Sequence, residues 1–174
     1  MSVVDLDDAN TVRAGVFGVQ DGIVSTFGLV MGVAGAQVSP EAVIIAGIAG
    51  AFSGAVSMGA GEYVSVKVQR EMLAARGAVD DDENVSPMRA AAANSGLFVL
   101  GAAFPLAPFL FLVGFPAVLT STLLSILALF VTGALLTRLT RRSPWASGAR
   151  MLVIGGGAGV LGYLVGSLLG VAVG

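Results

Sequence analysis

The chain has 174 residues, 56% of them hydrophobic and 11% charged, with a net charge of −2 and a mean hydropathy of +0.91. A soluble domain carries charge on about a quarter of its residues, so a soluble globular fold is excluded and an integral membrane protein is expected. With no Cys and no His, the chain also lacks the means for thiolate clusters, bis-His haem, the usual zinc sites and redox disulfides.

Residues 1–11 read as a short N-terminal tail. They carry acids at Asp5, Asp7 and Asp8 and no basic residue, unlike a cleaved signal sequence. From residue 12 to 174 a single all-α transmembrane domain is predicted. Its five spans, at about 12–36, 42–66, 90–113, 115–136 and 151–173, each reach the ~20 apolar residues that cross a bilayer.

The first span holds Gln20, Asp21, Ser25 and Thr26, with Gly18 and Gly22, then Gly28 and Gly32, four residues apart. Asp21 lies eight residues beyond Arg13, or about 12 Å deep at ~1.5 Å per residue. In the second span Gly50, Gly54, Met58 and Glu62 recur every four residues, so they follow one helix face with a slow drift. Met58 is nine residues from Lys67 and Glu62 five, which places them about 13–14 Å and about 8 Å deep. Two antiparallel spans therefore bring Asp21 and Met58 to similar depth, with Glu62 nearer the basic side. The predicted loop 67–89 adds Glu71, Met72 and the acidic run Asp80, Asp81, Asp82 and Glu83. That run reads either as a cation-concentrating entrance or as a solvated stretch offsetting nearby Lys and Arg.

Asn94 in the third span, like Gln20, Ser25 and Thr26, reads as an interhelical hydrogen-bonding group rather than a ligand. Trp145, in the loop before the last span, suits an interfacial anchor. The last span repeats glycine at Gly155 and Gly159, and again at Gly162, Gly166, Gly170 and Gly174. Such runs within an apolar helix lack the Lys of a phosphate-binding loop, and read as positions where helix backbones approach closely in lipid.

All nine Lys and Arg fall in three places: Arg13; Lys67, Arg70, Arg76 and Arg89; and Arg138, Arg141, Arg142 and Arg150. Five spans put all three on one side, which the positive-inside rule assigns to the cytosol. The N-terminus is then inside and the C-terminus outside, and the plain termini point to a prokaryotic inner membrane.

A carboxylate inside a bilayer costs at least ~2.5–3.5 kcal/mol, and Asp21 is too short to reach the headgroups. Asp21 reads as a cation ligand or as a hydrogen-bonded buried acid. Met58 reads as a thioether ligand or as packing, and Glu62 as a ligand or as a side chain reaching the interface. The residues alone leave three functions open: a metal transporter, a proton-coupled exporter of organic cations, and a non-transporting scaffold whose acids lock helices together. No nucleophile–base pair is visible, so an enzyme is not expected, and neither is nucleic-acid binding.

The stretches VFGVQDGIVSTFGLVMGVAGA and GAVSMGAGEYVSVKVQRE resemble the paired signature of the vacuolar iron transporter family. The likeness continues through SPMRAAAANSGLFVLGAAFPLAP and ALLTRLTRRSP…GARMLVIGG, so it covers nearly the whole chain from Arg13. It implies a five-span homodimer with its path between subunits, exporting Fe(II), often Mn(II), from the cytosol in exchange for protons. No permanently bound cofactor is implied, since the metal is cargo. It also implies that Asp21 and Met58 are the mid-membrane metal-coordinating pair. This chain departs from the pattern in three ways. Gln20 stands where the common bacterial motif has Asn. Gly50 occupies a position where some members carry an acid. The interval 67–89 replaces a long Glu-rich cytosolic domain, which suggests the short, nodulin-like branch. Glu62 as a ligand is a reading of the residues and not part of that implied pair.

Overall fold

The computed structural model describes residues 6–77, 86–140 and 143–173. It contains five helices: α1 (Leu6–Gly35), α2 (Pro40–Ala75), α3 (Pro87–Phe111), α4 (Phe115–Thr140) and α5 (Pro144–Val173). All five are long and apolar enough to cross a membrane, as the composition requires.

Local chemistry sets most helix ends. Pro40 and Pro87 sit in the first turns of α2 and α3, where a missing N–H costs nothing. The hydroxyls of Ser39 and Ser86 accept from the Ala42 and Arg89 amides, which would otherwise lack partners. Gly114 takes φ +64° in the tight connection between α3 and α4, a conformation that favours glycine. Several helices outrun their predicted spans. α1 starts at Leu6, inside the expected tail, α2 continues to Ala75, past the expected end at Val66, and α4 runs on to Thr140. α5 starts at Pro144, so Trp145 stands in its first turn and not in a loop. In α2 the apolar run stops at the bilayer edge, but Lys67, Gln69, Arg70, Glu71 and Met72 are good helix formers and carry the helix on.

Packing is organised around α1, which touches all four other helices, whereas α2 touches only α1 and α3. A Cβ at Gly18 or Gly22 would run into the carbonyls of Asn94 and Phe98 on α3. On another face of α1, Gly28 and Gly32 meet Ala158 and Gly162, while a Cβ at Gly162 or Gly166 would overlap the carbonyls of Gly28 and Gly32. Without a hydrophobic drive in lipid, such backbone-to-backbone approach is what holds helices together. Gly18, Gly22, Gly28 and Gly32 of α1 and Gly155, Gly159, Gly162, Gly166 and Gly170 of α5 are therefore packing positions, as their spacing predicts, while Gly174 lies outside the described residues. The same contacts fix direction: α1, α3 and α5 run one way, and α2 and α4 the other. Arg13, Lys67, Arg70, Arg76, Arg89 and Arg150 thus share one end of the bundle.

The far end is closed by Phe27, Val30, Met31, Val43, Leu106, Phe109 and Ala117. There Ser121 of α4 donates to the Pro105 carbonyl of α3 at 2.7 Å, fully buried. Ser121→Ala is expected to lower stability by about 0.6 kcal/mol and by no more than about 1.7, the mean and the maximum for hydrogen bonds between membrane helices. Denaturant unfolding in detergent micelles checks this.

Candidate metal site on the seam between α1 and α2

The site begins with a run of small residues. α2 turns Gly47, Ala51, Ala55 and Gly59 inward, so it lies close against α1 and α3. The Ser95 hydroxyl of α3 donates to the Ala55 carbonyl at 2.8 Å. One strip further round α2 the seam widens into a cleft of about 230 Å³. Asp21, Ser25, Thr26 and Leu29 line it from α1, and Gly50, Gly54, Ser57 and Met58 from α2. Phe98 of α3 forms its back wall, with its ring against Gly54. A side chain at Gly50 or Gly54 would meet Leu29 or Phe98, so both glycines leave the space that the cleft occupies.

Asp21 and Met58 therefore face one cavity, as their matched depths predict. Both are partly buried. Ser25 donates its hydroxyl to the Asp21 backbone carbonyl, leaving the carboxylate itself with no hydrogen bond or ion pair among the described residues. That arrangement does not match a buried acid held in place by hydrogen bonds. A carboxylate, a thioether and three hydroxyls around a cavity of this size suit a small divalent ion of the transition series better than Mg(II), which gains nothing from sulfur.

Glu62 is not in this cleft. It is buried on the packed face of α2 and accepts from Arg13 of α1 at 2.9 Å. The ridge read as Gly50, Gly54, Met58 and Glu62 therefore divides. Each four-residue step overshoots a 3.6-residue turn by about 40°, so three steps rotate Glu62 by about 120° from Gly50.

Asn94 also differs from expectation. It is fully buried, but its amide has no partner among the described residues, because α1 meets α3 here through the Asn94 backbone at Gly18. Gln20 lies half-buried on α1, outside the cleft lining. Glu71 and Met72 are exposed on the extension of α2. The run Asp80–Glu83 lies outside the described residues. Sequence reasoning missed Ser57, Leu29 and Phe98. For Ser57 a signal existed, since Gly50, Gly54 and Ser57 follow the i, i+4, i+7 spacing of one helix face. Among the described residues, no three Asp or Glu side chains converge.

A family model described as the VIT family matches residues 12–83 and 76–167. The chain is 36% identical over 154 residues to "Vacuolar iron transporter homolog 1" of Arabidopsis thaliana, covering 84% of this chain and 77% of that protein. It is 42% identical over 105 residues to "Vacuolar iron transporter homolog 5" of Oryza sativa subsp. japonica, covering 56% of this chain. The aligned part spans only 50% of that rice relative. A further match, 42% identical over 72 residues, is to "Vacuolar iron transporter" of Plasmodium falciparum (isolate 3D7), over 41% of this chain and 25% of that protein.

Proposed function

The chain belongs to the VIT family, and from that membership together with the Asp21–Met58 cleft we propose that it carries Fe(II), and also Mn(II), out of the cytosol in exchange for protons. One observation carries this reading. An aspartate without a partner among the described residues faces a methionine across a small cleft within apolar helices, and an acid kept at that insertion cost marks a functional site.

Cleft size separates this from export of organic cations. Pockets for drug-sized ligands run to about 300–1,000 Å³ with aromatic walls, whereas this cleft is smaller and has Phe98 as its single aromatic lining residue. The scaffold reading needs Asp21 to hold helices together, and its unpartnered carboxylate argues against that.

Assembly and coupling follow from the same site. The cleft opens on the outside of the bundle, on a face where its lining residues Ser25 and Leu29 of α1 and Ser57 of α2 are exposed. A second copy across a two-fold axis would cover this face and double the ligands to two Asp and two Met. Metal binds the deprotonated carboxylate, so loading releases protons and unloading takes them up. That competition links export to proton import when the cleft opens to each side in turn. The basic end faces the cytosol on the positive-inside rule.

Reconstitution in liposomes tests the reading. Fe(II) and Mn(II) flux should respond to an imposed pH gradient, with Mg(II) and Ca(II) passing far more slowly. A folded protein that moves neither metal would sink it. Met58→Leu conserves volume and should leave folding intact. It should slow Fe(II) and Mn(II) flux roughly tenfold, or ~1.4 kcal/mol, and narrow their margin over Mg(II). Competition assays in the same vesicles measure that margin.

A further inference from the structure

Between the cleft and the basic end, the seam of α1 and α2 is shut. Ala14, Val66 and Ala90, all buried, pack against one another across α1, α2 and α3. Beside them Glu62 accepts from Arg13 at 2.9 Å, linking α1 to α2. The two partners differ in surroundings: the Arg13 side chain is 59% exposed and that of Glu62 only 9%. Arg13 can swing into water at little cost. Glu62 cannot follow it, and a buried carboxylate stripped of its counterion is strongly unfavourable. The pair therefore opens readily only when another cation takes the place of the guanidinium.

We propose that Arg13 and Glu62 form a cation-operated latch on the cytosolic side of the cleft. A divalent ion arriving from the basic end takes the Glu62 carboxylate and releases Arg13 to water, and the inner part of α2 then parts from α1 along the Ala14–Val66–Ala90 contact. The architecture permits this motion, because within one subunit, among the described helices, α2 packs only against α1 and α3. Arg13 acts here as a gating residue and never touches the ion. Its positive charge also keeps the latch shut against monovalent cations, which bind a single carboxylate too weakly to displace it. The proposal rests on the transport reading for its cargo and on the basic end being cytosolic.

The chain has no cysteine, so a single introduced thiol reports on the latch. Val66→Cys, placed at a position 2% exposed, is labelled in proteoliposomes with a charged, membrane-impermeant maleimide applied from the basic end. Labelling should be slow without metal and at least about tenfold faster with Mn(II). Adding Arg13→Gln should make it fast without metal and unresponsive to Mn(II), whereas Arg13→Lys should restore slow, Mn(II)-accelerated labelling. The exchange of Arg13→Glu with Glu62→Arg should close the seam but abolish the Mn(II) response, since no buried carboxylate is left for the ion. The latch is overturned if Mn(II) leaves the Val66→Cys rate unchanged, or if Arg13→Gln labels as slowly as the parent.

Two controls separate this from failure of the readings beneath it. Ala75→Cys, exposed on α2, should label fast from the basic side in every background; labelling only from the opposite side would refute the orientation. Mn(II) flux through the same vesicles reports on transport independently of labelling.

Discussion

Asp21→Asn is expected to abolish metal flux while the protein stays folded. The substitution keeps shape and removes only the charge that a cation needs. Changes that merely touch a metal site's outer hydrogen bonds already cost ~10–100-fold, so losing a direct ligand should lower flux by more than about a hundredfold. Stability should move the other way or not at all. The Asp21 carboxylate has no partner to lose among the described residues, and removing a carboxylate from an apolar layer relieves part of the ~2.5–3.5 kcal/mol insertion cost. Parallel measurements of Mn(II) flux in liposomes and thermal unfolding in detergent decide the matter. Wild-type flux in the variant would end the proposed mechanism. A variant that unfolds far earlier would instead favour a structural acid, the scaffold reading.

The second large effect lies far from the site. Gly166→Val should destabilise the bundle by about 1–3 kcal/mol or more, the range for overpacking a tight contact. A Cβ at Gly166 would overlap the Gly32 carbonyl, and a backbone atom cannot turn aside as a side chain can. Relief requires α5 to part from α1. Gly157→Ala on the same helix is the contrast, because nothing lies within 4 Å of a Cβ there. Its change should stay within about 1 kcal/mol, and on the stabilising side, since alanine restricts the unfolded chain. Unfolding curves of the two variants, side by side, test whether backbone contact rather than glycine content holds α1 to α5. Equal losses in both would refute that.

These two glycines show how far the amino-acid pattern reaches. Both sit in one Gly-rich run of an apolar helix, and spacing marks Gly166 as a packing position without naming its partner. Only the placement of Gly32 on α1 identifies it. Ser57 and Phe98 escaped notice for a related reason. A hydroxyl beside Met58 is one of many small polar groups in these helices, and Phe98 enters the site from a third helix whose register nothing local fixes.

The sequence by itself determined the number of helices, most of their ends, the gathering of basic residues at one end, and the shared depth of Asp21 and Met58. Each follows from short-range rules: apolar length against bilayer thickness, proline and glycine at helix termini, charge sidedness and rise per residue. Tertiary structure alone decided which way each face turns. It sent Glu62 to Arg13 and away from the cleft, left the Asn94 amide without a partner among the described residues, and joined three helices around one cavity. The physical reason is rotation. Depth adds up along a helix at a fixed rise, but azimuth is set by how neighbouring backbones nest, and here that nesting is governed by glycines on α1 whose partners lie on α3 and α5.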